Sequence, residues 1–133
     1  MYKNPQMQYL KTRVLTATPG ELLVMLYDGL LQRLRQSKLS IEENRIEKAG
    51  ELLGSAHDIL GELMTSLDAK HSPELAENLL NLYLYCKELL IKALAELDTK
   101  HIDEAHDLLV PLREAWAEAE KSLRKEDQRA LGG

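Results

Sequence analysis

Phenylalanine is absent from these 133 residues and tryptophan occurs once, so a core built on stacked aromatics is excluded. The interior must come mostly from Leu, Ile, Ala and Met, which are strong helix formers or adapt well to helices. Cysteine is also nearly missing. Cys86 stands alone in an apolar run, so no intramolecular disulfide can form, as expected of a chain in a reducing cytosol. Its expected role is that of a small buried hydrophobe rather than a catalytic thiol. No apolar run reaches the roughly 18 residues that a membrane-spanning helix requires, and the N-terminus carries no apolar stretch of signal-peptide type. Lys and Arg form no dense run and the net charge is −5, which argues against a nucleic-acid partner. Glycine-rich phosphate loops, zinc-type spacings and haem-attachment motifs are all missing. The histidines, His57, His71, His101 and His106, do not form the paired Glu-x-x-His motifs of a carboxylate metal bundle. The expectation is therefore no cofactor, no metal and no catalytic residue.

What the sequence does have is helical punctuation. Thr18 is a good N-cap, Pro19 suits the first helical position, and Glu21 completes a capping box. Six apolar residues follow in a row, Leu22 to Tyr27. An amphipathic helix needs only a stripe, whereas six consecutive residues cover its whole circumference. This helix should run over 19–42, with one stripe through Leu23, Leu26, Tyr27, Leu30 and Leu34 and another through Leu22, Met25 and Gly29. Asn44 is its expected stop, since Asn tolerates the left-handed conformation.

A second helix is expected over 46–67. Ile46, Ala49, Leu53, Ala56, Leu60, Leu63 and Leu67 alternate spacings of three and four, a heptad seam. Gly50, Gly54 and Gly61 lie close to one face of it, either as tolerated surface glycines or as a flat strip open to another backbone. Ser72 and Pro73 should open a third helix over 73–96, which carries two apolar stripes and, beyond them, Tyr85 and Ile91. Asp98 should cap a fourth over 99–124, with Pro111 kinking it rather than breaking it. Short links between four such helices give an all-α, antiparallel up-down four-helix bundle. Residues 1–17 read as an N-terminal arm with one short helical turn, and residues 125–133 as a flexible tail. The arm carries Tyr2, Met7, Tyr9, Leu10, Val14 and Leu15, enough apolar surface to dock on the bundle.

Residues alone thus describe an acidic bundle with surplus apolar surface, which suggests a groove for a helix or an extended segment. Two other readings compete with it. A histidine phosphotransfer domain would use His57, but Leu60 stands where such a domain places a Lys to meet the phosphate. A generic dimeric bundle would need no further partner.

One segment is more specific. Asn4-Pro5, Tyr9, Val14, Thr16-Ala17-Thr18-Pro19 and Leu26-Tyr27-Asp28-Gly29 follow one another in an order that resembles the flagellar secretion chaperones of the FliS family. The block LNLYLYCKELLIKA looks like the family's third helix, and Ala115-Trp116 falls where that family has a late Trp. Gln6 departs from the family, which often has Tyr there. The resemblance implies a cytoplasmic export chaperone, not an enzyme. It would bind the disordered C-terminal segment of flagellin, prevent premature polymerisation and aid delivery to the flagellar export gate. It implies partner contacts at Tyr9, Val14, Leu22, Leu26, Tyr27 and Asp28. Leu10 and Met25 join them from the same segment, and Tyr83, Tyr85 and Ile91 are groove candidates from the third helix. A second copy, as a homodimer, is a further candidate partner, and membrane insertion is not expected.

Overall fold

The computed structural model describes residues 4–132. They form five helices: α1 (Pro5–Thr16), α2 (Pro19–Glu42), α3 (Ile46–Thr65), α4 (Pro73–Glu96) and α5 (Thr99–Gly132). The described residues include no strand. Helices α2 to α5 close a ring in which α2 and α4 each pack against both α3 and α5. With such short connections the neighbours run antiparallel, and the architecture is the up-down bundle that the sequence pattern dictates.

Local chemistry sets most of the boundaries. Thr18 Oγ1 accepts from the Glu21 amide at 3.1 Å, which fixes the start of α2. Asn44 takes φ 61° just beyond its end, the left-handed stop expected of Asn. Asp98 Oδ1 accepts from the Lys100 amide at 3.0 Å and opens α5. Ser72 occupies the cap position of α4 but makes no side-chain cap bond, so Pro73 alone carries the chemistry of that start. Leu97 follows α4 at φ 51°, unusual for a residue with a branched side chain. The Asp98 amide closes that turn on the Ala93 carbonyl at 3.2 Å, which holds Leu97 there.

Two features differ from the sequence reading. The arm is a three-turn helix rather than a single turn, and it does not dock, because no residue of α1 is buried. Its start was encoded in plain view: Asn4 accepts from the Gln6 and Met7 amides and Pro5 takes the first helical position. Its apolar residues do not make one clean stripe. Tyr9 points away from Met7 and Val14 in helical phase and stacks instead with Arg13, whose guanidinium lies 5.8 Å from the ring centre. Tyr2, part of the same expectation, lies outside the described residues. At the other terminus α5 runs on to Gly132, well past the expected end near residue 124, with residues 121–132 all exposed. Pro111 stays inside that continuous helix. The proline is exposed, while Ile102, Ala105 and Leu109 before it are buried and Leu112 and Trp116 after it are partly buried on the same core. Packing on both sides holds the register that the missing amide would otherwise loosen.

The core runs through the centre of the ring. Leu30 and Leu34 from α2, Leu60 and Leu63 from α3, Leu90 from α4 and Leu109 from α5 are at most 2 % exposed. The α3 seam behaves as the heptad pattern requires, with Ala49, Leu53, Ala56, Leu60 and Leu63 all buried. The start of α2 is tied to the far half of α5. Thr18 Oγ1 donates to Glu120 Oε1 at 2.9 Å, and Arg124 pairs with Glu21. That pairing holds the Glu21 carboxyl below its ordinary range.

Candidate functional site

Helix α4 shows more apolar surface than the ring can cover. Leu90 and Ile91 are consecutive, yet Leu90 is 2 % exposed and Ile91 is 60 % exposed. Leu75, Leu84, Tyr85, Leu94 and Leu97 of the same segment are also exposed. Sequence reasoning missed Leu84, although the signal was present: a helix with apolar residues on two stripes and beyond cannot bury them all against two neighbours.

Ile91 does not stand alone. Together with Leu90 and Leu94 it faces Gly50, Leu53, Gly54 and His57 of α3 across a shallow groove of about 140 Å³. The glycines therefore form the floor of an apolar channel. Gly54 has open space where a Cβ would be, and only Leu94 approaches that of Gly50, at 3.9 Å. His57 lines this groove half-buried beside the buried Leu60. Leu60, which stands where a phosphotransfer domain places its Lys, is 0 % exposed and belongs to the core.

A second hollow of about 240 Å³ lies at the α3–α4 end. Leu23 of α2, Ser66, Leu67 and Asp68 of the loop, Leu75, Ala76, Leu79 and Tyr83 of α4, and Trp116 of α5 line it. Three helices and a loop meet there, so no single periodicity could have announced it. Beside it two buried tyrosines and the partly buried Trp116 form a polar trio. Trp116 Nε1 donates to Tyr27 Oη at 3.4 Å, and the Tyr27 and Tyr83 hydroxyls share a hydrogen bond of 2.5 Å. Burial raises the pKa of both hydroxyls above the ordinary tyrosine value, so both remain protonated. Burial also pushes the neighbouring Cys86 thiol up to about 12, which leaves it unreactive as a nucleophile.

The expected contact residues therefore fall into four groups. Tyr9, Leu10 and Val14 are exposed on α1. Leu22, Met25 and Leu26 are half-buried on the first turns of α2. Tyr27 and Tyr83 are 0 % and 1 % exposed, so both belong to the core and present no free surface. Asp28, Tyr85 and Ile91 are exposed on the bundle itself. Asp28 takes two hydrogen bonds from Arg113 of α5, at 2.7 and 3.3 Å. Tyr85 donates to Glu104 of α5, whereas Ile91 faces α3. The two groove candidates of α4 thus lie on opposite flanks of that helix and cannot serve a single narrow contact. Among the described residues no helix is long and apolar enough to cross a membrane.

Comparison with known proteins follows this geometry. Residues 2–123 match the family model described as flagellar protein FliS. The chain is 35% identical over 131 residues to the flagellar secretion chaperone FliS of Bacillus subtilis, covering 98% of this chain and 96% of that one. It is 35% identical to flagellar secretion chaperone FliSB of Pseudomonas aeruginosa, over 86% of this chain and 90% of that one. For FliS of Salmonella typhimurium the identity is 34%, over 80% of this chain and 79% of that one. A solved bacterial flagellar chaperone superposes with a TM-score of 0.74 at 20% identity, covering 89% of this chain and 99% of that one, a likeness of fold.

Proposed function

This chain belongs to the FliS family of flagellar secretion chaperones, and we propose that its client is the C-terminal segment of flagellin. The observation that carries this reading is the outward apolar surface of α4, open in a chain whose core is already complete without it. A disordered client would lay apolar side chains along the channel of Gly50, Gly54, Ile91 and Leu94 and into the hollow near Leu75 and Leu79. The work is done by coupled folding and binding: a large apolar area is buried and part of the gain is spent on ordering the client. While wrapped, the client cannot present the same surfaces to other flagellin molecules, which delays polymerisation until delivery to the export gate. No covalent bond is made or broken, so the chain is not an enzyme. A second copy could cover the same surface only as a homodimer that must open before the client binds.

Calorimetric titration with a flagellin C-terminal peptide tests the reading. The expected result is saturable binding with a negative heat-capacity change and a gain of helical circular dichroism. Absence of binding at tens of micromolar protein would refute the reading.

A further inference from the structure

The channel between α3 and α4 does not end at His57. Gly50, Gly54, His57 and Gly61 follow one another at helical spacing, so they share one face of α3. Opposite them on α4 stand Leu94, Ile91 and, one turn further, Lys87. Leu94 lies 3.9 Å from the Cβ position of Gly50, and the Lys87 ammonium lies 3.5 Å from that of Gly61. One end of the channel is therefore aliphatic and the other cationic. Lys87 is half-buried, with its head laid low against α3 where Gly61 has no side chain. Its ammonium has no hydrogen bond or ion pair among the described residues. Asp58 and Glu62, the acids nearest Gly61 in sequence, are exposed and neither pairs with it. His57, half-buried in the same channel, also lacks a hydrogen-bond partner among the described residues. Apolar contacts have no direction, so an aliphatic channel by itself would let a bound segment slide along it. A charge contact at one end fixes the register.

We propose that Lys87 sets the register of the bound client by receiving one of its Asp or Glu carboxylates at the Gly61 end of the channel. This deepens the reading above and rests on it. Charge complementarity favours an acidic group here. The chain as a whole carries a net charge of −5, which opposes a carboxylate at long range, so an unpaired cation in the channel singles out one place for it. Lys87 lies about 6 Å along α4 from Ile91, one turn of helix. The carboxylate should therefore sit one turn from the client side chain seated against Ile91 if the client is helical, or about two residues from it if extended. His57 stands one turn from Gly61 on α3, keeps an N–H in either protonation state and offers a second donor. The bound client covers the pair, which strengthens it above the level of an exposed salt bridge.

Calorimetric titration of the full chain with a flagellin C-terminal peptide tests this. Lys87→Met keeps the stem and removes the charge. It should melt as the natural protein does, since no ion pair is lost. It should bind the peptide about fivefold more weakly at low salt, the scale of a charge-assisted hydrogen bond in a partly covered site. The difference should shrink in high salt. Lys87→Gln, polar at its tip, should give the same result if the Met variant folds poorly. Each Asp and Glu of the peptide is then replaced singly by Asn or Gln. One replacement should weaken binding to the natural protein by the same factor and have almost no effect on Lys87→Met. Lys87→Glu should bind worse still, and should recover when that one peptide position is changed to Lys. A peptide amidated at its C-terminus should bind as the free acid does; coupling of Lys87 to amidation instead would assign the contact to the chain terminus and overturn the side-chain proposal. Unchanged affinity in Lys87→Met, or a loss with no coupled acidic position, would reduce Lys87 to a stem packed on α3 and overturn the proposal while the client reading stands. If the natural protein does not bind the peptide at all, the client reading falls and this contact with it.

Discussion

Replacing Leu90 and Ile91 separately by Ala separates the core of this protein from its working surface at two adjacent positions. Leu90 is 2 % exposed inside the ring, so truncation should cost about 2–5 kcal/mol through lost transfer energy and the cavity left behind. Ile91 is 60 % exposed over the α3 glycines. Only the buried two fifths of its side chain contribute, and the groove is already open, so no cavity forms. Scaling the full burial of an isoleucine by that fraction gives about 1 kcal/mol. For a chain of this length that shifts the melting midpoint by roughly 3–5 °C. Binding should respond in the opposite order. If Ile91 is a client anchor, its removal should weaken the flagellin peptide by about 1–4 kcal/mol, the range for a buried interface side chain. Leu90→Ala should bind near normally wherever it remains folded. Thermal melts and calorimetric titration of both variants give the comparison. A peptide affinity for Ile91→Ala equal to that of the unmodified protein would refute the assignment of this groove, whatever the melting data show.

Deleting residues 1–15 should leave the melting midpoint of the bundle nearly unchanged, because α1 buries nothing against it. The same deletion should change client affinity or self-association if Tyr9, Leu10 and Val14 act as a competing or contributing segment, and sedimentation with peptide titration reads both. Gly54→Ala should raise the melting temperature, since the helix gains about 1 kcal/mol and the added methyl meets nothing within 4 Å. Gly54→Leu should block the groove and weaken client binding, and equal affinity for both variants would make the glycine strip incidental. The Arg124 pairing depresses the Glu21 carboxyl, so its contribution to stability is present at neutral pH and is lost as pH falls through the depressed folded-state value. Arg124→Ala should therefore flatten part of the acid limb of the melting curve while leaving the alkaline side untouched.

How much of this was written in the sequence varies by element. The limits of α2 and α4 follow from Thr18-Pro19, Asn44 and Pro73, which act within one turn of chain and need no tertiary partner. The α3 seam was legible because a single face is buried, and spacing alone identifies a single face. The helix α1 was also encoded by Asn4-Pro5, a cap and first-position pair whose local meaning is as clear as that of Thr18-Pro19. The overrun of α5 had no comparable signal, since the charged segment after residue 124 has helix-forming residues and no stop before the final glycines. Tyr27 and Tyr83 lie on apolar stripes and were also candidates for partner contact, because a tyrosine carries both an apolar ring and a polar tip and suits either place.

The sequence by itself determined the helical class, the four-helix ring and the family, because capping residues, apolar periods and an ordered motif are all local properties of the chain. Only the tertiary structure decided which apolar residues are left over. Leu90 and Ile91 have the same chemistry and adjacent positions, and the angle at which α3 and α5 approach α4 decides that one is covered and the other is not. The hollow beside Trp116 is of the same kind: its walls come from α2, α4, α5 and the α3–α4 loop, which no single period of the sequence brings together. A surplus of this sort is a sum over neighbours, and a chain has neighbours of that kind only once it is folded.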